Sequence, residues 1–194
     1  MKTFKENNKE QDEETLSDEV LWKMMLHKDE SALSLLYSRH FDSLYNYGMH
    51  LCSDEELVKD CIQNLFLALY NLRKSSPIRN VTSYLLMSIR NNIIAVLQDK
   101  ERNIGVEELN FELSISEEEL FRLFGHDDWE MDRIHKLRQS YDKLNANQRH
   151  AIYLRFIKEM NWEEMEEIMG ISTHSCMNLV GRAIVKLRHL MKDV

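Results

Sequence analysis

The densest set of side chains able to read a nucleic acid lies near the end of the chain, in NWEEMEEIMGISTHSCMNLVGRAIVKLRHL. A short periodic stretch, Trp162 to Met169, runs into Gly170-Ile171-Ser172. There Gly can take the left-handed turn that ends one helix and Ser can cap the next, which continues from Thr173 to about Met191. That is helix-turn-helix spacing. On the second helix Cys176, Val180, Ala183 and Leu187 share one face and are expected to pack inward. Thr173, His174, Ser175, Asn178 and Arg182 then point outward near its N-terminal half, where a recognition helix meets base edges and phosphate. Arg182 suits guanine or phosphate, Asn178 suits adenine, and the hydroxyls suit either. The same pattern also fits a tight helical hairpin whose basic side chains form a solvated face matched to the helix C-terminus.

Such a face needs helices to carry it, and the composition supplies them. With 5 Gly and 1 Pro, the chain has far fewer turn residues than the roughly 14 and 10 that average usage gives for this length. The fold class expected is all-α, in two helical domains. Helix starts are legible where Ser, Thr, Asp or Asn is followed three residues later by Glu or Gln, the reciprocal capping pattern. Ser53 with Glu56 predicts a helix through about Arg73, Ser116 with Glu119 a short one, and Asn145 with Gln148 and Asn161 with Glu164 two more. Asp29 opens an earlier helix with Leu33, Leu36, Tyr37, Phe41, Leu44 and Leu51 along one face, and Asn80 a helix carrying Leu85, Ile89, Ile93 and Val96.

Residues 1–19 read as a flexible acidic arm, 20–102 as a bundle of about four helices, 103–127 as an acidic linker and 128–194 as the second helical domain. In the bundle, Leu57, Cys61, Leu65 and Leu69 form one stripe and Val58, Ile62 and Phe66 widen it. So broad an apolar arc can serve a core on one side and a partner on the other, with plain core packing the first expectation for each residue. On the second domain's first helix, Met131, Ile134, Leu137, Tyr141 and Leu144 share a face.

Formal charge is -8, but it is uneven. Residues 1–19 and 100–136 are strongly acidic, 20–99 are neutral, and from Ile171 onward Arg182, Lys186, Arg188 and Lys192 face only Asp193. The last helix is thus an electropositive rod on an acidic protein. No stretch approaches the roughly 18 apolar residues of a membrane span, and MKTFKENNKEQDEE lacks a signal-peptide core, so a cytoplasmic protein is expected. Cys52, Cys61 and Cys176 form no CxxC pair and read as small hydrophobes. Without HExxH, a Gly-rich phosphate loop or GxSxG, neither an enzyme nor a metal or other cofactor is expected.

Two separated stretches, in order, resemble the extracytoplasmic-function (ECF) class of bacterial RNA polymerase sigma factors. Asp60-Cys-Ile-Gln63-Asn64-Leu-Phe66 resembles the D-x-x-Q-[ED]-x-F signature of sigma region 2, followed by Ser83-Tyr84-Leu85 through Arg90-Asn91. Leu144-Asn-Ala-Asn-Gln148-Arg149 resembles the L-P-x-x-Q-R opening of region 4, and Gly170-Ile171-Ser172 with Arg182-Ala183 and Leu187-Arg188 its helix-turn-helix. The resemblance covers about Leu33 to Leu190 and implies a protein that binds core RNA polymerase and directs promoter recognition.

It implies roles residue by residue. Asp60, Gln63, Asn64 and Phe66 would face the clamp helices of the largest polymerase subunit. Arg73, Lys74, Arg79, Asn80, Tyr84, Arg90 and Asn91 would engage the -10 element, with a flipped base near Arg79 and Asn80; such a base needs hydrogen-bond partners, an aromatic wall and cations for phosphate. Arg149, Thr173, His174, Ser175, Asn178 and Arg182 would engage the -35 element. An anti-sigma factor is a further implied partner. Several positions depart from the family pattern: Glu166 replaces a small Ala, Met177 a frequent basic residue, Asn64 an acid, Asn145 a proline, and Ala95 and Gln98 the usual Asp and Arg. The departures keep two alternatives open, a regulator that binds DNA without polymerase and a degenerate sigma-like adaptor.

Overall fold

In the computed structural model, residues 16–72, 78, 80–100, 115–124 and 131–192 are described. They fold as α-helices with one π-helical stretch and no strand among the described residues, in the order α1 (Asp18–Leu26), α2 (Glu30–Leu51), α3 (Glu55–Asn71), α4 (Val81–Lys100), α5 (Glu117–Phe124), α6 (Met131–Asp142), α7 (Ala146–Ile152), α8 (Trp162–Met169) and α9 (Thr173–Lys192). Helices α1 to α4 pack on one another as one lobe and α5 to α9 as a second.

The caps explain most of the boundaries. Asp29 Oδ1 accepts from the Ser31 and Ala32 amides at 3.0 and 3.1 Å, Asn80 Oδ1 from Ser83 N at 3.0 Å, and Asn145 and Asn161 both complete capping boxes. Ser116 and Glu119 exchange bonds in the same way. One start differs from expectation. Helix α3 is capped by Asp54, whose carboxylate accepts from Leu57 N at 3.1 Å, one residue beyond Ser53, and it ends at Asn71. A carboxylate at this position also complements the positive end of the helix, so Asp outcompetes its Ser neighbour.

The wide stripe of α3 is resolved as core, the first of the two readings. Leu57, Val58, Cys61, Ile62, Leu65, Phe66 and Leu69 are all buried, so the arc is spent on the core. On α2 the single expected face divides: Leu36, Leu44 and Leu51 are buried, whereas Tyr37 is exposed and Leu33 and Phe41 are half-buried. The two helices approach closely at Gly48, where an added Cβ would lie 2.5 Å from a Val58 methyl. Gly48→Val is therefore expected to lower the thermal midpoint by about 3 °C or more, since overpacking costs about 1–3 kcal/mol and outweighs the smaller gain in helix propensity. A calorimetric scan checks this.

In the second lobe Ile134, Tyr141 and Leu144 are buried as expected, while Met131 is 63% exposed. The acidic segment is more than a spacer: Ile115 and Leu120 are buried, and α5 packs on α6. After α7 the chain widens into a π-helical turn, Tyr153–Ile157, with Lys158 N donating to Tyr153 O at 3.1 Å. Tyr153 and Leu154 in this turn are buried. The two lobes also touch directly, which the linker reading did not anticipate. Helix α4 packs on α8, Lys158 Nζ donates to Ser43 Oγ at 3.4 Å, and the Tyr47 hydroxyl lies 2.7 Å from His150 Nε2.

Candidate functional site

Two surfaces carry the side chains that the sequence singles out. The first is a cleft of about 530 Å³ between α2 and α3, lined by Glu30, Leu33, Ser34, Tyr37, Phe41, Lys59, Gln63, Phe66 and Leu67. Its floor is aromatic: Tyr37 meets Phe66 edge-on with ring centroids 5.1 Å apart and lies 5.4 Å from Phe41. Asp60, Gln63 and Asn64 are exposed on the same helix. Phe66 is not an outward-facing contact as expected. It is 4% exposed, because its ring closes the gap between α2 and α3, and it contributes only as the cleft floor. The exposed apolar side chain at the rim is Leu67, 53% exposed. Its signal was present in the sequence as a Leu outside both apolar stripes of α3.

Rim charge is partly committed locally. Lys59 pairs with Glu55 at 2.6 Å, which holds the Glu55 carboxyl below its ordinary range and the Lys59 ammonium above its own. An apolar floor with a polar rim is the arrangement that buries a partner's side chain and orients it by hydrogen bonds.

The second surface belongs to the helix-turn-helix. Gly170 takes φ 68°, and its amide donates to Glu166 O at 2.9 Å, closing α8. Ser172 then caps α9, its Oγ accepting from Ser175 N at 3.3 Å. Cys176, Val180 and Ala183 are buried, with Leu187 half-buried beside them, so the inward face is as expected. Burial raises the Cys176 thiol, with the Glu166 carboxylate a second cause, so it stays a neutral packing group. His174, Ser175, Asn178 and Arg182 are exposed and Thr173 is half-buried at the helix start. Arg182 Nε donates to Asn178 O at 3.3 Å along the helix.

Arg149 stands apart from this face. Its Nη1 donates to the carbonyls of Asp142 and Leu144 at 3.2 and 3.3 Å, so the guanidinium ties down the turn before α7.

Of the residues expected at the -10 element, Arg73, Lys74 and Arg79 lie outside the described residues. Tyr84 packs edge-on against Trp22 at 5.3 Å, and Asn91 is exposed with its Oδ1 accepting from Arg90 Nη1 at 3.4 Å. Asn80 is engaged twice: its Oδ1 caps α4 and its Nδ2 donates to Glu164 Oε1 at 3.1 Å across the lobes. Among the described residues no group of His, Cys, Asp or Glu side chains is placed to hold a metal ion.

Comparison with known proteins follows the same division. Residues 36–103 match the family model of Sigma-70 region 2, and residues 134–187 match that of Sigma-70, region 4. The chain is also 24% identical over 159 residues to the ECF RNA polymerase sigma factor SigM of Bacillus subtilis (strain 168), covering 80% of this chain and 92% of SigM. The chain is an ECF-type sigma factor. Two solved structures share its fold. CnrH, in complex with the cytosolic domain of CnrY, is 21% identical with a TM-score of 0.60, covering 91% of this sigma factor and 99% of the solved chain. The sigma factor RpoE of Bartonella quintana, in complex with the anti-sigma factor NepR, is 19% identical with a TM-score of 0.54, covering 81% and 94%.

Proposed function

We propose that this sigma factor binds core RNA polymerase through the α2–α3 cleft and directs it to promoters through two DNA-facing surfaces, α4 with the segment before it for the -10 element and α9 for the -35 element. The observation that carries the reading is the pairing, in one chain, of an apolar cleft unsuited to DNA with a polar, anion-compatible helix face unsuited to a protein core. Asp60, Gln63, Asn64 and Leu67 form the polymerase contact above the Phe66 floor. Thr173, His174, Ser175, Asn178 and Arg182 read the -35 element, and Arg149 acts by holding the turn ahead of α7. Asn80, Tyr84, Arg90 and Asn91 serve the -10 element with Arg73, Lys74 and Arg79.

Nothing in this scheme needs a catalytic group; the protein acts by binding energy and its site of action is where polymerase works, in the cytoplasm. Among the described residues no helix is long and apolar enough to cross a membrane. An anti-sigma factor is a proposed partner, supported by the two fold relatives, one solved with an anti-sigma factor.

Transcription reconstituted from purified core polymerase and a library of random promoters tests the proposal. Runoff products that appear only when both proteins are present support it. Polymerase binding without any product would favour a sigma-like adaptor, and DNA binding without polymerase would favour a self-sufficient regulator. Within that assay Arg182→Ala is expected to reduce promoter-specific product about tenfold or more, the worth of one good base or phosphate contact, while polymerase capture is unchanged. Equal product from the variant would remove Arg182 from the reading face.

A further inference from the structure

The first backbone amide of α9 is already occupied. Thr173 N donates to Glu166 Oε2 at 2.9 Å, so a carboxylate from α8 reaches across the turn to the N-terminus of α9. This amide has no partner inside its own helix, and it stands at the positive end of the helix dipole. On a recognition helix it is also a natural contact for a DNA phosphate. Glu166 is exposed, so the carboxylate lies on the surface that DNA would approach rather than in the core. Two cations of the helix are engaged locally: Lys186 Nζ donates to Lys143 O at 2.6 Å, and Arg182 Nε donates to Asn178 O at 3.3 Å.

We infer that Glu166 is an intramolecular substitute for a DNA phosphate, and that it holds the affinity of α9 for duplex DNA down. For a phosphate to take the Thr173 amide, the carboxylate must give up its hydrogen bond and two anions must share one helix end. In water, like charges about 4 Å apart weaken binding about fivefold. The consequence is a second lobe that binds DNA weakly unless polymerase supplies the remaining contacts. Free protein is then kept off non-specific DNA, and promoter search is left to the holoenzyme. The inference rests on the reading of α9 as the DNA-facing helix.

Glu166→Gln removes the charge while its carbonyl oxygen still accepts from Thr173 N, so the cap persists. Glu163→Gln removes a charge from an exposed position on the same helix away from that amide. Fluorescence anisotropy of the full-length proteins with a labelled random-sequence duplex, in low and in moderate salt, separates local from general charge effects. Glu166→Gln is expected to bind about fivefold tighter than the native protein and Glu163→Gln less than twofold tighter, with the gain shrinking as salt rises. Equal gains for both variants, no gain for Glu166→Gln, or no duplex binding by any of the proteins would overturn the inference. Capture by core polymerase, measured in parallel, is expected to be identical for all three proteins. Its loss in the native protein would count against the sigma-factor reading, whereas the anisotropy comparison reports on Glu166 alone.

Discussion

Leu67→Asp is expected to abolish capture of the protein by core polymerase while leaving it folded. Leu67 is half exposed at the rim of the α2–α3 cleft, so its replacement costs the free protein little. In a complex that seals the cleft the same position is desolvated. Losing a buried Leu forfeits about 1.5–3 kcal/mol, and burying a carboxylate there adds a further penalty. Together these weaken association about 100-fold or more. Asp60→Arg, an exposed change two turns further back on the same face of α3, is expected to act in the same direction through rim electrostatics, mainly by slowing association. Biolayer interferometry against immobilised core enzyme reads both effects, and circular dichroism confirms the fold. Native-like binding by Leu67→Asp would mean that polymerase does not use the cleft.

How much of this was legible beforehand follows from the range of the forces involved. The caps at Asp29, Asn80, Ser116, Asn145 and Asn161 are local chemistry within three residues, and all five are present. The inward face of α9 is likewise a local periodicity. The fate of the α3 stripe was not legible, because whether Phe66 faces a partner or a neighbour depends on Tyr37, nearly thirty residues earlier in the chain. Glu166 showed in the sequence only as a departure from a small residue. Its contact with Thr173 needs the left-handed turn at Gly170 to bring α8 and the start of α9 together. The π-helical turn has no signature in capping residues, and the buried Tyr153 and Leu154 show what it accomplishes: both side chains of one turn face the interior.

The contact between lobes was the least legible feature and bears most on how the protein works. Glu164 divides its carboxylate between two tasks, one oxygen accepting from Asn161 N at 2.8 Å to cap α8 and the other from Asn80 Nδ2. A residue proposed for the -10 element is thereby held by the helix-turn-helix. In this arrangement one of the two Asn80 Nδ2 hydrogens is committed to Glu164, so on the proposed reading the -10 surface is fully freed only when the lobes part. Whatever lowers the stability of the contact raises the fraction of protein ready to engage.

Acid is expected to do so through His150. Its ring is fully buried against Tyr47, with centroids 5.9 Å apart, and burial first and the Arg90 charge second push it from 6.5 down to about 3. Burial also pushes the Tyr47 hydroxyl upward, so the pair is neutral throughout the physiological range. Because the closed form holds His150 below its ordinary value, it binds fewer protons than the open form once pH falls below about 6.5. Closed-state stability is therefore complete above that point and is lost on acidification, approaching tenfold in the open-to-closed ratio for each pH unit between about 6 and 3. His50 lies 3.6 Å from Glu119 at the same junction, where burial raises the Tyr153 hydroxyl and lowers the Lys158 ammonium. Small-angle scattering of the free protein over this range is expected to show a rising radius of gyration, with His150→Gln flattening the profile. A native profile that His150→Gln leaves unchanged would place the acid response elsewhere, because only a ring that must charge on exposure can supply a slope that disappears with the ring.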